Sequence, residues 1–75
     1  MVNADKICEL IKTKLPSANI NAKDLTGTGD HWQVAVVAEE FAGKTLVAQH
    51  RMVYDALGDL MKQEIHALAL DTSTP

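Results

Sequence analysis

Four side chains in this sequence have the chemistry of metal ligands or nucleophiles: the histidines at positions 31, 50 and 66, and the single cysteine at position 8. A structural zinc site needs four ligands, usually with a close pair of cysteines, and the sequence has no such pair. It also shows no Ser-His-Asp or Cys-His arrangement for nucleophilic catalysis. Because no catalytic set can be assembled from these residues, the sequence favours a binding protein over an enzyme.

The positions of these side chains predict different roles. Cys8 falls on the apolar stripe of a predicted helix, where a free cysteine behaves as a small buried hydrophobe. His50 lies on the apolar face of a second helical segment, where a histidine is more often a core residue than a ligand. His31 stands where a glycine-rich turn enters a strand, which suits a solvated turn residue and a ligand equally well. His66 stands at the entrance to the last predicted strand, and its position alone leaves its role open.

The elements that must position these residues follow from hydrophobic periodicity. Apolar residues recur at three- and four-residue steps over residues 4–15, which predicts a helix that Asn3 caps and Pro16 ends. The period changes to two over residues 18–23 and again over residues 32–38, so both segments are predicted strands. The turn chemistry of residues 26–30 between them predicts an antiparallel hairpin.

The second half of the chain returns to helical spacing over residues 46–61 after a connector at residues 39–44. Gly58 lies inside this segment and predicts either a bend or a break into two helices, because glycine is unfavourable in a helix interior. Residues 65–70 are predicted to form a third strand, and residues 71–75 a polar tail.

This order predicts one α+β domain over residues 1–75, with helices on one face of a three-stranded mixed sheet. We expect the isolated domain to be a monomer. The predicted core comprises Ile7, Ile11, Val34, Val36, Val53, Leu57 and Leu68.

The composition of the chain restricts the cellular compartment and the classes of partner that we expect. The formal charge of −3 gives no general attraction to nucleic acid or anionic lipid, and no apolar run approaches the roughly 18 residues of a membrane span. The single cysteine excludes an intramolecular disulfide, which fits a reducing compartment. We therefore expect a cytoplasmic protein, or one from an organelle interior if a targeting segment has been removed, that does not contact a membrane.

Four segments together resemble the BolA-like family: His-Trp-Gln-Val-Ala-Val-Val at 31–37, Phe-Ala-Gly-Lys at 41–44, Gln-His-Arg-Met-Val-Tyr at 49–54 and Ile-His-Ala-Leu at 65–68. The resemblance runs from the first helix to the closing Thr-Pro. It implies an αββααβ fold of the class II K-homology type, in agreement with the order predicted above. It also implies a partner, because family members bind monothiol glutaredoxins.

The resemblance further implies that the heterodimer holds a bridging [2Fe–2S] cluster used in iron–sulfur cluster assembly, trafficking or iron-responsive regulation, with glutathione supplied from the partner side. The isolated domain would carry no cofactor. In the family the histidine of the Ile-His-Ala-Leu motif is the main ligand, and His66 matches it. The second ligand usually comes from the loop between the first two strands. That loop here contains neither cysteine nor histidine, so His31, just past it, is the nearest substitute.

Two alternatives remain from the sequence. The K-homology-like fold and regulator roles in the family suggest a nucleic-acid-binding transcriptional regulator, with a basic strip of Lys44, Arg51 and Lys62. However, the Gly-x-x-Gly loop of true K-homology domains has no match at Gly58, and a solvated helix face explains the three cations as well. The other alternative is an adaptor that meets glutaredoxin without metal.

Overall fold

The computed structural model describes residues 3–63, 65 and 67–75 of the chain. Its elements are α1 (Ala4–Lys14), β1 (Asn19–Asp24), β2 (His31–Val37), α2 (Leu46–Leu57), α3 (Asp59–Gln63) and β3 (Ala67–Ser73), with a 3-10 turn (Glu39–Phe41) between β2 and α2. This order confirms the predicted αββααβ arrangement. No helix in the described part of the chain has the length and apolar character needed to cross a membrane.

Helix α1 begins and packs as its sequence predicts, with one exception. The Asn3 side chain caps it by accepting the Lys6 backbone N–H at 2.9 Å, and Ile7 and Ile11 are completely buried. Cys8 is only partly buried, so the prediction of a core cysteine is wrong. Successive residues of a helix are rotated by about 100°, so Cys8 lies that far around the helix from Ile7, at the edge of the buried stripe.

The sheet has the strand order β1-β2-β3, and β2 pairs antiparallel with β1 and parallel with β3. Alternation along β2 buries Trp32, Val34 and Val36 on the face that the helices cover. The opposite face is open. Asn21 of β1, Gln33 of β2 and Asp71 of β3 line a shallow groove there. The helices therefore cover one face of the sheet, as predicted.

The predicted core is confirmed for all its members except one, since Leu68 is half-buried and packs against the edge of the core. The sequence interpretation missed Phe41, which is completely buried although it lies in the connector. The 3-10 turn aims this ring inward. The turn is also bonded to the connection between α1 and β1, because Glu40 accepts hydrogen bonds from both the hydroxyl and the backbone N–H of Ser17. The Ser17 hydroxyl lowers the pKa of Glu40.

The helical segment does break at Gly58, where α2 ends and α3 begins one residue later. The glycine N–H bonds to the Tyr54 carbonyl at 2.9 Å, and its φ of 52° lies in the region that only glycine adopts easily. The break lets the chain turn back toward the sheet after α2.

The last strand corrects the predicted polar tail. Residues 71–73 belong to β3 and continue its parallel pairing with Ala35, Val36 and Val37 of β2, while Ile65 lies outside the strand. The cause is a buried polar contact that the sequence does not reveal. Thr72 is 8% exposed and donates its hydroxyl to Gln49 Oε1 at 2.8 Å. The amide of Gln49 in turn donates to the Lys44 carbonyl at 3.0 Å.

We predict that Thr72→Val lowers the free energy of unfolding by about 0.5–1.5 kcal/mol, because it removes the hydrogen bond from the buried Thr72 hydroxyl to the half-buried Gln49 oxygen. Thr74→Val makes the same change at an exposed position, outside β3, and is expected to have little effect. Chemical denaturation measures both. Equal stability of the two variants would show that the Thr72–Gln49 contact does not stabilise the end of β3.

Candidate functional site

The loop between β1 and β2 is folded around one carboxylate. Asp24 Oδ1 accepts the backbone N–H groups of Thr26 at 3.2 Å and Gly27 at 2.9 Å, and Oδ2 accepts that of Gly29 at 2.9 Å. Both glycines have positive φ, at 78° and 79°, which lets successive N–H groups turn toward the same side chain. The loop therefore has a defined shape although most of it is exposed.

Trp32 connects the end of this loop, at Gly29, to the hydrophobic core. The Trp32 ring is 3% exposed, and its indole N–H donates to the Gly29 carbonyl at 2.9 Å. The Leu25 N–H donates to the His31 carbonyl at 2.9 Å and closes the hairpin. Residues 29–32 are thus held from both sides, by the core and by Leu25, the residue after β1.

His31 is the first residue of β2, and alternation places it on the open face of the sheet, opposite Trp32. Its Nδ1 atom lies 2.9 Å from Asp30 Oδ1, and the two side chains are 38% and 42% exposed. The Thr28 hydroxyl also donates to Asp30 Oδ1, and the Thr26 hydroxyl approaches it at 3.4 Å. These contacts, that from Thr28 first and that from His31 next, lower the pKa of Asp30 from 3.8 to about 2.

The structure describes one of the two predicted cluster ligands. His66 lies outside the described residues, but it is covalently joined to Ala67, and Ala67 pairs with His31 across β2 and β3. The Ala67 N–H donates to the Asp30 carbonyl at 3.1 Å. The register therefore places Ala67, the residue after His66, directly beside His31.

The donor chemistry at His31 fits an iron of a [2Fe–2S] cluster, which accepts neutral imidazole. An ionised carboxylate only accepts hydrogen bonds, so Nδ1–H is the donor in the 2.9 Å contact with Asp30 Oδ1. Within residues 3–63, 65 and 67–75, no group of three histidine, cysteine or acidic side chains lies close enough to hold a metal ion. Any cluster held by His31 needs ligands beyond those residues.

The core prediction for His50 is wrong. His50 is half-buried and lines a groove on the outer surface of α2 with Val47, Arg51 and Tyr54. The buried stripe of α2 runs instead through Val53, Ala56 and Leu57. Gln49 and His50 are both half-buried, but the Gln49 side chain bonds to Thr72 and to the Lys44 carbonyl, whereas His50 lines the outer groove.

The three cations of the predicted basic strip are all exposed but lie on different elements. Lys44 precedes α2, Arg51 lies within α2 and Lys62 lies in α3. An exposed aspartate lies one helical turn from each helical cation, Asp55 after Arg51 and Asp59 before Lys62. These carboxylates oppose the positive potential that a nucleic-acid backbone would need.

Comparison with known proteins gives the same assignment as the motifs. The model of the BolA-like protein family matches residues 8–75. The chain belongs to the BolA-like family. The Arabidopsis thaliana protein BOLA2 is 39% identical over 71 residues, which cover 93% of this chain and 75% of the relative. The solved structure of BolA1 from Arabidopsis thaliana covers 100% of this chain and 95% of its own, with a TM-score of 0.88 at 28% identity.

Another BolA-like relative is named for a function. The Vibrio cholerae DNA-binding transcriptional regulator BolA is 44% identical over 59 residues, which cover 73% of this chain and 56% of that protein.

We predict that Thr28→Val raises the pKa of Asp30 toward 3.8, because it removes the strongest donor to the carboxylate. Carbon-detected NMR of the carboxyl groups across a pH titration measures this shift. Thr26→Val, which removes a longer contact, is expected to raise the pKa less. An Asp30 that titrates near 3.8 in the unmodified protein would contradict the hydrogen-bond arrangement.

The same contacts give a pH dependence of stability. The pKa of Asp30 is depressed in the folded protein, so its contribution is complete above about pH 4 and is lost as the pH falls toward about 2. Thr28→Val should reduce the loss of stability over this acidic range.

Proposed function

We propose that this protein pairs with a monothiol glutaredoxin and, together with it, binds a bridging [2Fe–2S] cluster. In this proposal His31 and His66 supply the ligands from this chain, and glutathione is supplied from the partner side. The protein would act in iron–sulfur cluster assembly, trafficking or iron-responsive regulation, by binding and not by catalysis. The observation that carries the proposal is the His31 imidazole, held through Nδ1 by Asp30 at the strand end that pairs with Ala67.

Membership of the BolA-like family supports the proposal, since the motif that carries the family's main ligand is present as Ile65-His66-Ala67-Leu68. The local structure supports it as well. A half-exposed imidazole on an open sheet face is accessible to a partner, whereas a buried one is not. The single cysteine fits a reducing compartment, so we also propose a cytoplasmic or organelle-interior protein that is monomeric by itself.

Several residues of this chain would each have a separate role in cluster binding. The hydrogen bond between Trp32 and Gly29 holds the loop against the core, so the end of β2 is already ordered before the partner binds. Asp30 accepts a hydrogen bond from Nδ1 of His31 and limits the orientations of the ring. The cluster, when bound, supplies the one-electron chemistry, and imidazole ligation raises its potential relative to thiolate.

Nucleic-acid binding is the second candidate, and the name of the Vibrio cholerae relative favours it. The outer surface of α2 carries Arg51 between Val47 and Tyr54, which are 66% and 40% exposed. An arginine beside an aromatic ring suits contact with phosphates and bases. The net charge of −3 and the aspartates beside the helical cations argue for weak binding only.

The first prediction from this proposal concerns the ligands. Mixed with a cluster-loaded monothiol glutaredoxin, the protein should form a one-to-one heterodimer whose visible absorption and circular dichroism differ from those of the glutaredoxin homodimer. His66→Ala should abolish this spectrum, and His31→Ala should make the cluster more labile while the two proteins still associate. His50→Ala, on the outer surface of α2, is the matched histidine control and should retain the spectrum.

The opposite pattern would overturn the ligand assignment. If His66→Ala retained the heterodimer spectrum and Cys8→Ser lost it, the partly buried thiol and not the imidazole would be the iron ligand.

The second prediction is that the isolated protein binds duplex DNA weakly and loses that binding as salt is raised, because few cations are available to displace counterions. Arg51→Gln should weaken the binding further. Fluorescence anisotropy at several salt concentrations measures both effects. Sequence-specific binding tighter than about 10⁻⁶ M at physiological salt would contradict this and favour the regulator function.

A further inference from the structure

We propose that the outer edge of β3 and the adjoining flank of α2 form a docking site for an extended acidic segment of a partner protein. The segment adds to the sheet as a further strand, antiparallel to β3. This inference goes beyond the proposed function, because it involves neither the proposed cluster ligands nor the loop between β1 and β2. Its support is the direction of the backbone groups along β3 and the side chains that line α2.

The outward backbone groups of β3 follow from its pairing with β2. β3 is an edge strand of the sheet, and its Ala67 N–H donates to the Asp30 carbonyl at 3.1 Å. The N–H and C=O groups of one strand residue point to the same side, and this side alternates along the strand. The odd-numbered residues of β3 therefore bond to β2, whereas the N–H and C=O groups of Leu68 and Leu70 point away from the sheet. Within residues 3–63, 65 and 67–75, no hydrogen bond reaches those outward groups.

β3 also lacks the features by which proteins usually prevent an edge strand from pairing. It pairs with β2 along its whole length without a bulge or a proline, and its exposed Ala67 and Ala69 are small and uncharged. The other edge strand, β1, carries the exposed Lys23 between polar residues. A lysine on an edge strand disfavours pairing, whereas a regular, uncharged edge accepts another strand. The backbone of β3 therefore fits an extended peptide.

One flank of α2 forms a wall beside this edge. On the covered face of the sheet, α1 packs over β1 and α2 packs over β3. The flank of α2 that faces α1 is identified by Met52 and Asp55, which line a groove with Lys14. The opposite flank of α2 therefore runs along the outer side of β3. That flank carries the four residues of the outer groove, which are Val47, His50, Arg51 and Tyr54.

The side chains of this flank determine the chemistry of the peptide. Val47 and Tyr54 are 66% and 40% exposed and offer apolar contacts. Arg51 is exposed and supplies a positive charge, and none of the four groove residues is acidic. The nearest aspartate along α2, Asp55, lines the groove on the α1 side instead. A segment that carries both acidic and apolar side chains complements this flank.

The sheet geometry decides which peptide residues face α2. In an antiparallel pair, residues directly opposite each other direct their side chains to the same face of the sheet. Leu68 and Leu70 are half-buried and pack against the core on the face that the helices cover. The peptide residues that exchange hydrogen bonds with them therefore direct their side chains toward α2. The acidic and apolar residues are expected at these positions, in alternation with residues that face the open side.

The first test uses the complete chain and a fluorescently labelled peptide of sequence Glu-Thr-Leu-Thr-Glu-Thr-Leu, with binding measured by fluorescence anisotropy. N-methylation of the glutamates and leucines removes the N–H groups that bond to β3 and should abolish binding. N-methylation of the threonines, whose N–H groups point away from β3, should leave it intact. Equal binding of the two methylated peptides, or the reverse order, would overturn the inference.

The second test changes the edge of β3. Leu70→Pro removes the outward N–H without removing a hydrogen bond to β2, because proline is tolerated on the solvent side of an edge strand. Leu70→Ala is the matched control, since it shortens the side chain and keeps the N–H. Leu70→Pro should bind the peptide about tenfold more weakly than Leu70→Ala. Circular dichroism establishes that both fold, and equal affinities would contradict the proposed edge pairing. The methylated peptides decide the question if the proline variant does not fold.

The third test concerns the charge on α2. Arg51→Gln should weaken binding of the glutamate peptide by about two- to fivefold, as expected for an exposed ion pair, and should not affect a peptide with glutamine in place of glutamate. Lys62→Gln is the matched control, because it removes an exposed cation of α3 outside the groove. An equal effect of the two substitutions would show that only net charge matters, and would contradict docking along α2.

Amide hydrogen exchange measured by NMR identifies the occupant of the edge. In the free protein the Leu68 and Leu70 amides should exchange rapidly and the Ala69 amide slowly, and the peptide should protect the first two. Protection in the free protein that rises with protein concentration would show that a second copy of the chain fills the edge. Protection by a single-stranded oligonucleotide and not by the peptide would assign the groove to nucleic acid. Either result would overturn the inference.

Discussion

The alternation of side chains along β2 is the constraint on which both the core and the candidate site depend. It places Trp32, Val34 and Val36 under the helices, and the same alternation turns His31 to the open face. The indole N–H of Trp32 then reaches back to the Gly29 carbonyl. One buried ring therefore fixes the register of the strand and the end of the loop that carries Asp30, because a one-residue slip would exchange the two faces.

The parallel pair β2–β3 requires a crossover, which α2 and α3 supply. The Gln49 side chain connects this crossover to the sheet, because it joins Thr72 of β3 to the backbone before α2. That contact lies at one end of β3, and the pairing of Ala67 with His31 lies at the other. The strand is therefore anchored at the end distant from the candidate site, so the position of Ala67 beside β2 does not depend on a bound partner.

Periodicity was sufficient to predict the element order and most of the core, because the apolar stripes of α1 and β2 are regular. It failed where a single contact overrides the local pattern. Polar residues 71–73 extend β3, where the buried Thr72 hydroxyl bonds to Gln49, and Phe41 is buried because a 3-10 turn directs it inward. His50 is half-buried because the buried residues of α2, namely Val53, Ala56 and Leu57, lie in its second half. The sequence identifies His31 as the histidine nearest to the loop, but its contact with Asp30 is visible only in the structure.

The two faces of the sheet carry different kinds of contact. The helix-covered face holds the completely buried side chains, such as Val34 and Val36, and these provide most of the hydrophobic stabilisation. The contacts among Thr28, Asp30 and His31 lie at the surface, where water screens charges and an ion pair contributes little to stability. Their geometry is nevertheless well defined, because the backbone on each side is fixed by Trp32 and β3. The arrangement of Thr28, Asp30 and His31 therefore follows from backbone contacts that the core and the sheet provide, and not from the strength of its own polar contacts.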